Sequence, residues 1–316
     1  GGIDEVLAKG FSHGFGSIPG NRELLEWLRE YNEGKGEGQR VRFYGFDAPT
    51  ESGMGPNPRK AMAEVRDFLP AGLRPESAEE LEELLGPDEQ WENPAAVYDP
   101  DVSIGDSERV RSLRIVADDL ASALRRAAPG LRAADPRGYA RAETNARAAK
   151  GVLRFHAAMA RKAPDRVGML MSLRTEMMAD NLLAIVAAEE RRGPTLVFAH
   201  NAHLRPGQST LTFGEHEARW ASAGAMAALS LGDGYVFVAS DGSPAAEAGT
   251  LQGAMASATD RRTLFPAAEL RAALPADIGV GEPVVRGHIP LKPADLDGTD
   301  AVVFITDTDG KQHQYW

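Results

Sequence analysis

Two histidines stand three residues apart in the stretch Pro194-Thr195-Leu196-Val197-Phe198-Ala199-His200-Asn201-Ala202-His203, with an asparagine between them. Imidazole carries protons near neutral pH, so such a pair suits general acid–base chemistry. The same pair, with a carboxylate such as Asp47, also has the donor types of a metal site. The spacing does not decide between these two chemistries. Asn201 supplies an amide able to hold a substrate. Asp47 closes the run Arg40-Val41-Arg42-Phe43-Tyr44-Gly45-Phe46 and precedes Ala48-Pro49, where it either orients an imidazole or caps a turn. Arg174 and Asn181 share a helical stripe with Met178 and Ile185. Polar groups on an apolar stripe need partners, either at a site or in a buried pair that fastens the helix.

These groups need elements to position them. The apolar run 195–199 reads as a buried strand of a parallel sheet, and ligands gather outside the carboxyl ends of such strands. The run 41–46 reads as a second strand, 234–239 as a third and 301–306 as a fourth. A helix is expected from Asn21, its N-cap, with Leu24, Leu25, Trp27, Leu28 and Tyr31 as an apolar stripe. Residues 107–192 are almost continuously helical by pattern, with breaks near Pro129-Gly130, at Pro136 and at Pro164. Further helices are expected over 215–231 and 266–274. Together these predict an α/β fold, a three-layer and mainly parallel sheet with right-handed crossovers. The core takes 1–104 and 166–316, and an inserted helical region, 105–165, covers the cleft. Four strands make a thin sheet for so many helices, so the missing strands are expected before Gly1.

His13 sits in the loop Phe11-Ser12-His13-Gly14-Phe15-Gly16-Ser17, which lacks the G-x-S-x-G, G-x-G-x-x-G and P-loop patterns and reads as a glycine-rich loop on the substrate side. His156, on an alanine-rich stripe, reads as core. Among the 316 residues there is no cysteine, which excludes disulfides, a thiol nucleophile and thiolate metal sites. The net charge of -11 argues against nucleic acid or an anionic membrane as partner. No apolar run approaches the roughly 18 residues of a membrane span, and no signal-peptide pattern opens the chain. A cytoplasmic protein without cofactor is expected; its oligomeric state is left open.

Three phrases carry a resemblance to the erythromycin esterase family. They are Leu24 to Asn32 followed by Val41–Asp47, then Arg174 to Asn181 (R-x-x-x-M-A-x-N), then Val197 to His203 (v-x-A-H-N-x-H). The resemblance implies an α/β fold with an inserted helical region. It also implies hydrolysis of a macrolide lactone ester, an antibiotic-resistance activity, by water that histidine activates. The two histidines of the last motif map onto His200 and His203, and the arginine of the second onto Arg174. The family's G-E-x-T/S-H-G signature, which supplies a base histidine and a glutamate, is absent. Ser12-His13-Gly14 is only a remnant-like match, so the chain is expected to begin after that segment. The expected function is an esterase-like hydrolase of an ester or lactone, with His200 and His203 moving protons, Arg174 and Asp47 organising them, and Asn201, Asn181 and His13 on the substrate side. The alternatives are a metal-binding hydrolase and a non-catalytic binding protein on the same scaffold.

Overall fold

The computed structural model describes every residue except Gly1, His13, 51–53, 214–215, Pro244, Ala246, 284–288 and 308–316. The chain divides into two compact units, Gly1–Thr195 with Thr210–Trp220, and Leu196–Ser209 with Ala221–Trp316. The helices of 105–165 lie within the first unit.

The first unit is helical: α1 (Ile3–Lys9), α2 (Pro19–Asn32), α3 (Arg59–Phe68), α4 (Leu81–Leu85), α5 (Glu108–Ala134), α6 (Pro136–Met159) and α7 (Arg166–Glu189), with short 3-10 turns between several of them. Asn21 does not cap α2. It falls in the first turn, where its amide donates to the Phe15 carbonyl at 2.8 Å. Ser107 caps α5 through Val110 N–H, and Asp135 caps α6 through Gly138 N–H, with Pro136 at the position where a missing N–H is harmless. The expected break at Pro129-Gly130 does not occur. Ala128 and Leu131 carry the apolar stripe of α5 onward against the core, and that packing outweighs one lost backbone bond. Met62, Val65, Leu81, Trp91, Leu113, Leu120 and Leu153 form the buried centre of α3 to α6. Gly151 lets α6 approach α7, because a Cβ there would meet the Met177 sulfur at 2.3 Å.

The second unit holds α8 (Asn201–Leu204), α9 (Ala223–Leu231), α10 (Leu251–Ser257) and α11 (Ala267–Ala273). A two-stranded ribbon, β1 (Gln208–Phe213) with β2 (His216–Ala221), has residues in both units. A second sheet has the order β3-β5-β4, from β3 (Val238–Gly242), β4 (Arg262–Pro266) and β5 (Ala301–Ile305). β3 runs parallel to β5, with Ser240 opposite Val303, and β4 runs antiparallel to it. Ala239, Val302 and Phe304 are fully buried on one face, over which α10 and α11 pack with Leu251, Met255 and Ala267.

Several expected elements differ. The mainly parallel four-stranded sheet is replaced, among the described residues, by this mixed three-stranded one. Residues 195–199 are extended but form no strand: Leu196 and Phe198 are 96% and 91% exposed. Residues 41–46 are extended too, and the backbone N–H and carbonyl of Val41 are both taken by the Asn32 side chain at 2.8 Å. A β-prone run becomes a strand only where another strand takes up its ladder. The helix expected over 215–231 is β2 followed by α9, and the third strand begins later, at Val238. No helix among the described residues is long and apolar enough to cross a membrane.

Candidate functional site

In the second unit the turn from His200 to Arg205 is tied down at nearly every residue. His200 Nδ1 accepts the Ala202 N–H at 3.1 Å and so caps α8. An accepting Nδ1 places the proton of neutral His200 on Nε2. The His203 ring lies edge-on to it, with centroids 6.4 Å apart and planes at 73°. Asn201 is bound to the edge strand β3: its Nδ2 donates to the Ser240 carbonyl at 2.7 Å and its Oδ1 accepts the Ser240 N–H at 3.0 Å. A side-chain amide has the donor and acceptor of a peptide unit, so Asn201 supplies one rung of ladder on the open side of β3.

Three hydroxyls take up the carbonyls that follow. Ser209 donates to Ala202, Tyr235 to Leu204 and Ser222 to Arg205. Burial pushes the Tyr235 hydroxyl up to about 12, so it remains a donor at neutral pH. Gly224 at the start of α9 is required by this contact, since a Cβ there would sit 1.9 Å from the Leu204 carbonyl oxygen. The Arg205 guanidinium closes the turn on Asp295 at 2.6 Å. Both imidazoles are therefore presented on a braced backbone.

In the first unit, residues 40–47 run along α7 in the opposite direction to the helix. Asp47 accepts two bonds from Arg174, Nε to Oδ1 at 3.1 Å and Nη2 to Oδ2 at 2.8 Å, and Oδ1 also takes the Ala48 N–H at 2.7 Å. Asn181 Nδ2 reaches the Phe46 carbonyl at 3.3 Å. Farther along the helix, Glu189 accepts from Arg42 at 3.0 Å, from the Tyr44 hydroxyl at 2.7 Å and from Arg192, which also donates to the Arg40 carbonyl. Burial alone would raise the Glu189 carboxyl, but the Tyr44 bond and the two guanidinium charges hold it below its ordinary value. The Tyr44 hydroxyl is raised, first by burial and then by its bond to Glu189.

The structure thus brings Asp47, Arg174 and Asn181 together in one unit, and His200, Asn201 and His203 together in the other. His13 lies outside the described residues. The reading from sequence missed Glu189, Arg192, Ser240 and Tyr235. Arg42 and Tyr44, polar groups two apart on an extended run, were the available sign of a polar contact on one side. Among the described residues, no group of three or more His, Cys, Asp or Glu side chains converges as a metal site.

A family profile described as erythromycin esterase matches residues 7–308. Two solved structures resemble the chain, each with a TM-score of 0.63 and 16% identity, covering 96% of this chain and 76% of the other. One is the crystal structure of a Bacillus cereus protein; the other is an erythromycin esterase, a histidine-to-asparagine mutant of EreC in its open conformation. At that identity the likeness is one of fold. A comparison with curated proteins finds no match.

Proposed function

The chain belongs to the erythromycin esterase family, and from that premise we propose that it hydrolyses a carboxylic ester or macrolide lactone with water as the nucleophile. His203 takes a proton as the water oxygen attacks the carbonyl carbon. His200, whose proton sits on Nε2, donates to the oxyanion that develops. When the tetrahedral adduct collapses the C–O bond breaks, and His203 returns its proton to the departing alkoxide, leaving an acid and an alcohol. Acid–base work of this kind contributes on the order of 10²–10⁴-fold.

The observation that carries this reading is the bracing of the His200–Arg205 turn, because proton transfer needs imidazoles held in fixed geometry. Asn201 is assigned to holding that turn. Arg174, Asp47 and Asn181 are assigned to holding residues 40–47 on α7.

The test is turnover of a panel of p-nitrophenyl esters and a macrolide lactone by the wild type, His200→Ala and His203→Ala, with melting curves as a check on folding. Each substitution is expected to lower kcat/KM by about 10²-fold or more. Hydrolysis at the wild-type rate in both variants overturns the proposal. A lactone that raises the melting temperature without being turned over makes the chain a binding member of the family instead.

A further inference from the structure

We propose that the groove between α5 and α6 binds an organic anion, a carboxylate or phosphate carried on an apolar body. The groove lies in the first unit, has a volume of about 530 Å³, and is lined by Arg111, Arg114, Lys150 and Arg154 together with Asp118 and Ile115. Four cations meet here in a chain whose net charge is -11, so their grouping runs against the composition.

Arg111 pairs with Asp106 at 2.7 Å, so the groove guanidinium left without a carboxylate among the described residues is that of Arg114. Lys150 is neutralised by Asp118 at 2.7 Å, and this pair fixes the level of the two helices. One turn toward the start of α5 lies Arg114, and one turn toward the end of α6 lies Arg154, so the two guanidinium-bearing positions stand side by side. The Asp119 carboxylate is engaged by the Ser77 hydroxyl at 2.8 Å. Arg154 pairs with Glu176 through Nη2 at 2.9 Å, yet its Nε–H is buried and meets no acceptor among the described residues. Arg114 makes no hydrogen bond or ion pair among them. An anionic oxygen in the groove satisfies the exposed Arg114 guanidinium, with the Arg154 charge alongside, and a planar carboxylate or a phosphate fits the guanidinium fork.

The apolar part of the ligand follows from the rest of the lining. Ile115 is 64% exposed and Leu153 closes the floor. Small-molecule sites span about 300–1,000 Å³, so the space is that of an organic molecule and exceeds what a bare ion fills. None of these residues takes part in the proposed hydrolysis, so the two readings stand or fall separately.

The experiment titrates the full chain with phenyl phosphate and with benzoate at low ionic strength by calorimetry, with benzyl alcohol as the neutral counterpart. Saturable binding of the anions, and none of the alcohol, is expected. Arg114→Gln and Arg154→Gln should each weaken it about tenfold, the loss of one charge-assisted contact. Arg137→Gln, at an arginine 84% exposed and outside the groove, should bind as the wild type does. Arg114 has no partner to lose, so its variant keeps the fold and decides the matter even if Arg154→Gln does not fold. No binding of either anion, or equal binding by the wild type and Arg114→Gln, overturns the proposal.

Discussion

Asn201 grips Ser240 by both backbone groups, giving a hydrogen to its carbonyl at 2.7 Å and taking one from its N–H at 3.0 Å. An amide so engaged positions its neighbours, and kinetics separate that role from substrate contact. Asn201→Asp keeps the acceptor, loses the donor and sets a carboxylate against the Ser240 carbonyl. Steady-state assays should show kcat lower by about tenfold with KM within about twofold. A raised KM at unchanged kcat would place Asn201 on the substrate.

The fork of Arg174 on Asp47 is open to a conservative test. Lysine keeps the charge but cannot make two parallel bonds, so Arg174→Lys should cost about 1–2 kcal/mol of stability in urea unfolding. Asp47→Asn should cost a similar amount, and the double variant less than the sum. Strict additivity would mean the two residues act apart.

Tyr235 predicts behaviour in alkali. Its folded value, about 12, lies above the ordinary 10.0, because burial disfavours the phenolate. A raised value means stability fully present below pH 10 and lost as the pH climbs toward 12. Tyr235→Phe should be less stable at neutral pH by about 1 kcal/mol, having lost the bond to Leu204. Its alkaline fall should be shallower than that of the wild type; parallel curves would refute the assignment.

His156 predicts the opposite limb. The ring is 2% exposed, lies edge-on to Trp91 at 4.9 Å and contacts the Pro56 carbonyl at 3.0 Å through Nε2. Burial pushes its value below 6.5, and its backbone contacts with Pro56 and Gly55 only partly offset this. A depressed value means stability present above 6.5 and lost as pH falls toward the folded value. His156→Gln keeps a donor and removes the titration, so its stability between pH 7 and 5 should change less than the wild type's.

The family phrases and most helices were legible because they depend on local pattern. The break expected at Pro136 falls where α5 gives way to α6, and the alanine stripe correctly put His156 inside. Strand positions were not legible in the same way. Thr195–Ala199 has the composition of a strand, but strands are completed by partners distant in sequence, and no window of residues shows whether one is present. Pro129 misled because its local penalty was set against packing by Ala128 and Leu131 that only the fold reveals. The pairing of Asp47 with Arg174 spans 127 positions. Each residue drew suspicion alone, but their meeting could not be read.

The extended run that ends at His200 has a consequence for handling the protein. Proteases read substrates in extended form, through backbone groups not engaged elsewhere. Phe198 is 91% exposed on such a backbone, whereas Phe155 is wholly buried in a helix. Brief treatment with a chymotrypsin-type enzyme will therefore nick the chain after Phe198, two residues ahead of His200 and close to the boundary at Thr195. The fragments, resolved by mass, report whether the histidine turn outlives the loss of the chain that leads into it.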